Sequence, residues 1–255
     1  MNISKETQQL VEQVIALAWP AEIEEPYHSW MLRANHGVSK RANSVFTIGE
    51  MPSTDNWLSE IERFYDNQLL SPCFYIGENT PQEVDQLLAK NNYEIINEMY
   101  LLYHESKRVV ETVEKNNELV TTFNHDVNSS WVDSFMQLER HDTSLREGYE
   151  IIFQNIQIPK MFLTLKLNEK VVALGTVAIK DGWGYISNVV VDQRYRRRGF
   201  GSQVIRELAK WAYEHDTKYI FLQVKKTNKA GLKLYEHLGF STLSESHFRI
   251  KTVNY

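Results

Sequence analysis

The sequence predicts an α/β protein of the α+β kind, a mixed central sheet flanked by helices and built in two halves. Three patterns predict it. Apolar runs of strand length alternate with amphipathic stripes of helical spacing, which calls for a sheet covered by helices. Asp181-Gly182 separates two apolar runs, a hairpin signature because both central residues of such a turn need positive φ. The apolar pattern lapses through Glu105-Ser106-Lys107-Arg108 and Glu114-Lys115-Asn116-Asn117, which divides the chain into 1–106, a linker at 107–117 and 118–255.

In the first half, Leu10, Val11, Val14, Ile15, Leu17 and Ala18 form one helical stripe. Strand-like pieces follow at 29–33 and 44–48, then a helix from Asp55 carrying Trp57, Leu58, Ile61, Phe64 and Tyr65. The run Cys73 to Ile76 reads as a buried strand. Thr80-Pro81-Gln82-Glu83 has the form of a capping box and starts a helix with Val84, Leu87 and Leu88 inside. Two alternating runs, 93–96 and 99–104, close this half as strands.

The second half opens with a strand at 119–123 and a helix carrying Trp131, Phe135, Met136 and Leu138. A second helix, capped by Ser144, carries Leu145, Tyr149, Ile152 and Ile156. Strands at 161–167, 171–179 and 184–191 precede a helix from about Ser202 to His215. A strand at 219–224 leads to a last helix that Gly239 ends, and strands at 240–242 and 248–251 finish the chain.

Of 255 residues, 28 are Lys or Arg and 33 Asp or Glu, so the net charge is −5 and a general nucleic-acid coat is disfavoured. The one cysteine, Cys73, excludes an intramolecular disulfide and any metal site that needs two thiolates. Residues 1–20 hold no apolar stretch long enough for a signal sequence or membrane span, so a cytoplasmic protein without membrane partners is expected.

The sharpest local pattern runs from Asn188 to Ser202. A buried strand with Val189, Val190 and Val191 enters a turn of Arg194, Arg196, Arg197, Arg198, Gly199, Phe200 and Gly201, which opens a helix. Such a turn offers unpaired backbone N–H groups at the positive end of a helix dipole, a cradle for a phosphate or pyrophosphate. A dinucleotide fingerprint would need glycine where Val204 stands, and a P-loop would need lysine after Gly201, where Ser202 stands.

The segment Arg196 to Gly201 resembles the Arg/Gln-x-x-Gly-x-Gly/Ala turn that grips coenzyme A. Asn228 to Phe240, with Leu234-Tyr235 and Gly239-Phe240, resembles the closing signature of the same fold. On both motifs, 119–251 is identified as a member of the Gcn5-related N-acetyltransferases, or GNAT family. The resemblance implies an acetyltransferase using acetyl-coenzyme A, with no metal and no nucleic acid, acting on the amine of a small molecule or peptide. It implies that the backbone of Val189, Val190 and Val191 binds the pantetheine arm and that an N–H near Val189 polarises the thioester carbonyl. It implies that Arg196, Arg197, Arg198, Gly199, Phe200, Gly201 and Ser202 hold the pyrophosphate, that Asn228 approaches from the other side, and that Tyr235 protonates the departing sulfur. The strand 184–191 holds no carboxylate where many relatives carry a glutamate. The general base therefore stays open among Glu139, His141 and Asp142, and Trp131, Trp183 and Tyr185 are candidates for the acceptor pocket.

Residues 87–95 align with 234–242 at an offset of 240 − 93 = 147, and strand, helix and strand precede both in the same order. The expectation is a tandem of two GNAT-like domains. In the first copy Leu88 stands in place of Tyr235 and Asn92 in place of Gly239, and no Gly-x-Gly turn follows Ile48. That copy is expected to lack the cofactor site, with Arg33-Ala34-Asn35 and 40–44 polar enough to face a substrate. Two rival functions remain: an acyl-coenzyme A sensor without catalysis, and a transferase that takes its acyl group from aminoacyl-tRNA.

Overall fold

Helix α1 (Lys5–Leu17) forms where the first apolar stripe predicts it, and Ser4 caps it by accepting the Thr7 N–H at 3.3 Å. The computed structural model describes residues 4–252. Strands β1 (Ile23–Tyr27) and β2 (Trp30–Ala34) pair as a hairpin. β1 escaped the sequence reading because it is an exposed edge strand, Ile-Glu-Glu-Pro-Tyr, with no buried face to set a pattern. Then come β3 (Val45–Phe46), α2 (Trp57–Asn67), β4 (Cys73–Ile76), α3 (Gln82–Lys90) and β5 (Glu94–Glu105). The capping box at Thr80 is not made: its hydroxyl accepts the Gly77 N–H and meets the Thr47 hydroxyl at 2.8 Å, which leaves Pro81 at the N-cap of α3. The two strands expected at 93–104 are one, with Asn97 at φ +51° where the break was expected.

The expected linker 107–117 is helical in its first part. Helix α4 (Ser106–Thr112) buries Ser106 and Val109, and the Ser106 N–H donates to the Lys218 carbonyl at 2.9 Å. About two turns with so few buried positions are too short for periodicity to reveal.

The second half contains β6 (Val120–Asn124), α5 (Ser129–Glu139), α6 (Arg146–Asn155), β7 (Lys160–Leu167), β8 (Lys170–Lys180) and β9 (Trp183–Val191). It ends with α7 (Phe200–Glu214), β10 (Tyr219–Lys225), α8 (Lys229–His237) and β11 (Ser241–Ile250). Asp181 and Gly182 take positive φ between β8 and β9, as the hairpin requires. Ser144 does not cap α6; Asp142 accepts the Ser144 N–H and starts a 3-10 turn that leads into the helix. The strands expected at 240–242 and 248–251 are one, β11, kept continuous across two irregularities in its pairing with β5.

One sheet of eleven strands spans both halves, in the order β1-β2-β3-β4-β11-β5-β10-β9-β8-β7-β6. Its centre is an exchange. β5, from the first half, lies between β10 and β11 of the second, and β11 lies between β5 and β4. The pairing reads alike outward from this centre: β11 is antiparallel to β4 and β4 parallel to β3, while β5 is antiparallel to β10 and β10 parallel to β9. Helices α5 and α6 pack on one face around Trp131, Phe153 and Phe162, and α1 of the first half joins that core through Val11, Val14 and Ile15. On the other face α7 packs through Val204, Ile205 and Leu208. Among the described residues no helix is long and apolar enough to cross a membrane.

Candidate active site

Strands β9 and β10 run parallel but pair only where Trp183, Gly184 and Tyr185 face Tyr219, Ile220 and Phe221. The cause of their separation lies in β9. Its pairing with β8 steps from Thr176–Ser187 to Leu174–Val190, so Asn188 and Val189 oppose the single residue Gly175. This is a β-bulge, which bends the strand and adds twist. Asn188 takes φ +55°, and its amide donates to the Thr176 hydroxyl at 3.0 Å. Gly175 permits the close approach of α7, since a Cβ there would stand 2.6 Å from a Val204 methyl.

The strands open onto a cleft of about 410 Å³. Ser187, Asn188 and Val189 line one side, Gln223, Val224 and Lys225 the other, and Asn228 and Tyr235 the end toward α8. Of the predicted backbone segment, Val189 is thus brought together with the predicted acid and Asn228, whereas Val190 is buried in the core and Val191 is not among the lining residues.

The arginine-rich turn follows directly. Its four arginines have different occupations. Arg194 pairs with Asp192 at 2.6 Å and holds that carboxyl below the usual carboxylate range, Arg196 donates to the Val191 carbonyl at 3.3 Å, and Arg198 lies over the Tyr195 and Phe200 rings. Arg197 is exposed, with φ +63°. Gly199 takes the N-cap of α7 at φ +78°, with no side chain capping the first turn and no atom within 4 Å of where its Cβ would project. That open cradle at the start of a 15-residue helix fits a bulky anion such as a pyrophosphate. Gly201 serves a different end: a Cβ there would come within 3.1 Å of Leu234, so its smallness seats α8 against α7. Phe200 is buried in the core and Ser202 follows within the first turn.

Tyr235 is 8% exposed, and burial, reinforced by the Tyr185 phenol, pushes its hydroxyl pKa up. It holds its proton at neutral pH. Asn228 caps α8 by accepting the Gly231 N–H at 3.0 Å, so its carbonyl oxygen is occupied by the helix end.

Glu139 and His141 line the cleft, with the His141 ring stacked on Tyr149 at 4.8 Å, whereas the Asp142 carboxylate is spent on its turn. Tyr185 lines the cleft; Trp131 and Trp183 are core residues, the first donating its ring N–H to the Leu163 carbonyl. The first half reaches the same cleft through Trp19, Arg41 and Met99. Arg41 belongs to the polar segment 40–44 singled out from the sequence, but nothing in the sequence distinguished it from its neighbours. Arg33, Asn35, Asn43 and Ser44 are buried instead, and they hold the loop that carries Arg41.

Residues 125–240 match the model of the acetyltransferase (GNAT) family. Over 241 residues, 94% of this chain and 97% of the relative, the sequence is 39% identical to an uncharacterized N-acetyltransferase, YobR, of Bacillus subtilis. A GCN5-related N-acetyltransferase from Kribbella flavida superposes with a TM-score of 0.73 at 14% identity, covering 100% of this chain and 97% of that one. A structure described as a tandem GNAT protein from the clavulanic acid biosynthesis pathway gives a TM-score of 0.62 at 8% identity, covering 82% and 74%.

Proposed function

Because the chain belongs to the GNAT acetyltransferase family, we propose that it transfers the acetyl group of acetyl-coenzyme A to a primary amine held in the cleft between β9 and β10. The observation that carries this reading is the sequence of geometries along one path: a bulged strand that diverges from its neighbour, an open Gly199 cradle at a helix start, and a protonated Tyr235 in the same cleft.

Acetyl-coenzyme A supplies an activated acetyl thioester. The amine nitrogen bonds to the acetyl carbon as the carbon–sulfur bond breaks; the amine loses a proton and the sulfur gains one. Tyr235 is the proton donor to sulfur, its phenol neutral until that moment. The β9 backbone at Val189, Val190 and Val191 lines the pantetheine arm, and a preorganised N–H near Val189 stabilises charge on the acetyl oxygen. Arg196, Arg197, Arg198, Gly199 and Ser202 surround the pyrophosphate. Glu139 or His141, both at the cleft, takes the proton from the amine. Transfer is direct, since the one thiol, Cys73, is buried and pushed up to about 12 by that burial, far from a reactive thiolate.

We also infer that residues 1–106 are a second, degenerate copy of the fold, joined through 107–117 to the catalytic copy at 118–255. The matched pairing outward from the β11–β5 centre supports this, as does the turn after β3, where Glu50 and Asp55 stand instead of arginines.

The test is calorimetric titration with acetyl-coenzyme A alongside thiol release against a panel of amines. Gly199→Val should weaken acetyl-coenzyme A binding by about tenfold or more, because a branched residue at φ +78° is strained and fills the cradle. Unchanged affinity would remove the turn from the site.

A further inference from the structure

Arg41 is a cation built into the cleft and left without an anion. Its guanidinium carbon lies 3.6 Å from the centroid of the Trp19 ring, and Nη1 donates to the Tyr185 hydroxyl at 3.1 Å. Tyr185 in turn donates to Gln223 on β10 at 3.0 Å, so the arginine is tied to both walls of the cleft.

The loop beneath it is over-determined. The Asn43 side chain accepts the N–H groups of Asn35 and Gly37 and donates to the carbonyls of Asn35 and Ser39. The buried Arg33 guanidinium donates to the Arg41 carbonyl. The loop also docks on α6 at Gly148, whose carbonyl accepts the Asn35 amide at 2.8 Å, and a Cβ on Gly148 would collide with Val38 at 2.4 Å. A side chain fixed this firmly is preorganised.

Among the described residues no carboxylate lies within ion-pair distance of Arg41, and its Nε and Nη2 have no hydrogen-bond partner. The other charged side chains lining the cleft are Lys225 and Glu139, with His141 beside them, so two permanent cations face one carboxylate. A polycationic acceptor would meet Arg41 and Lys225 as like charges. A planar fork with free donors suits a carboxylate, which it can grip through two parallel bonds.

Building on the acetyltransferase reading, we propose that the acceptor is an amino-carboxylate, a free amino acid or a close analogue, whose carboxylate seats on Arg41 while its amine points toward β9. Trp19 and Tyr185 hold the guanidinium plane, and the acceptor supplies the missing anion. The degenerate half would then contribute specificity to a site whose cofactor groups all come from the other half.

The experiment compares kcat/KM for free amino acids, their α-amides and spermidine, in the wild type, Arg41→Gln and Arg41→Lys, with acetyl-coenzyme A affinity measured for each. The wild type should favour the free acid over its amide by roughly tenfold or more and turn over spermidine poorly. Arg41→Gln should bring the acid-to-amide ratio close to 1, mainly through KM, with acetyl-coenzyme A affinity and melting temperature retained. Arg41→Lys should keep part of the preference, which a merely structural role for Arg41 would not produce. Equal wild-type rates on acid and amide, faster turnover of spermidine, no turnover of any amino acid, or an unchanged ratio in Arg41→Gln would overturn the proposal. Absence of acetyl-coenzyme A binding by the wild type would instead strike the donor assignment.

Discussion

Tyr235 combines a place in the core with a place in the cleft lining. Its ring belongs to the core beneath α7 and contacts Phe240, and the same residue is part of the cleft lining. Removing only the oxygen leaves the packing intact and isolates the proton transfer. Tyr235→Phe should therefore lower kcat by about 100- to 10,000-fold, the usual range for a positioned acid, with acetyl-coenzyme A affinity little changed; stopped-flow thiol release would read it. A full kcat under conditions where chemistry limits the rate would reassign Tyr235 to packing alone. The two glycines of the turn divide similarly at this scale: Gly199 faces open space, and Gly201 is closed by Leu234.

Among the elements, α3 and β11 form the tie between halves that pH should loosen. Asp85 on α3 accepts from Arg249 at 2.7 Å and lies 2.9 Å from the His247 ring, both on β11. The Arg249 hydrogen bonds hold its carboxyl below the usual range. A depressed folded-state pKa gives stability that is fully present above the unfolded value, near about 3.9, and is lost as pH falls through the folded one. Asp85→Asn should therefore lower the melting temperature at pH 7, and the gap to the wild type should narrow as the pH falls below the unfolded value. A gap that persists in acid would mean that the pairing is not the source.

The elements also show what a sequence exposes. Strong stripes such as those of α1, α2 and α7 and the Asp181-Gly182 hairpin could be read directly, because burial on one face writes a period into the chain. β1 and α4 bury too little to leave one. Thr80 and Ser144 stand in cap-like positions but spend or yield their hydrogen bonds to Gly77 and Asp142. The arginine-glycine turn that opens α7 and the place of Tyr235 on α8 were legible because they are local motifs. Trp19 and Arg41 were not, since Arg41 reaches Tyr185 across 144 residues of chain and Trp19 enters the cleft beneath the Arg41 guanidinium.

For the whole molecule, the exchange of β5 and β11 decides how the halves depend on each other. A chain cut to 118–255 would leave β10 without β5, which pairs with it from Tyr219 to Lys225, and β11 without β4. A chain cut to 1–106 would leave β4 and β5 without β11. Expressed alone, neither fragment should give a cooperative unfolding transition, whereas the two together should restore one folded, soluble complex; calorimetry and size-exclusion chromatography would check this. Independent folding of 118–255 would show that a self-contained sheet can form without the exchange.

The same exchange sets the timing of assembly. Met99 pairs with Ser246, a separation of 246 − 99 = 147 residues. On a ribosome, β5 emerges long before either strand that will flank it, and β4 must wait as well. The centre of the sheet is thus the last part that synthesis can complete, and its closure carries the loop entropy that slows non-local pairing. Until β11 arrives, β4 and β5 present open strand edges to the cell, so this is the interval in which chaperone contact matters most and truncated chains are most prone to aggregate.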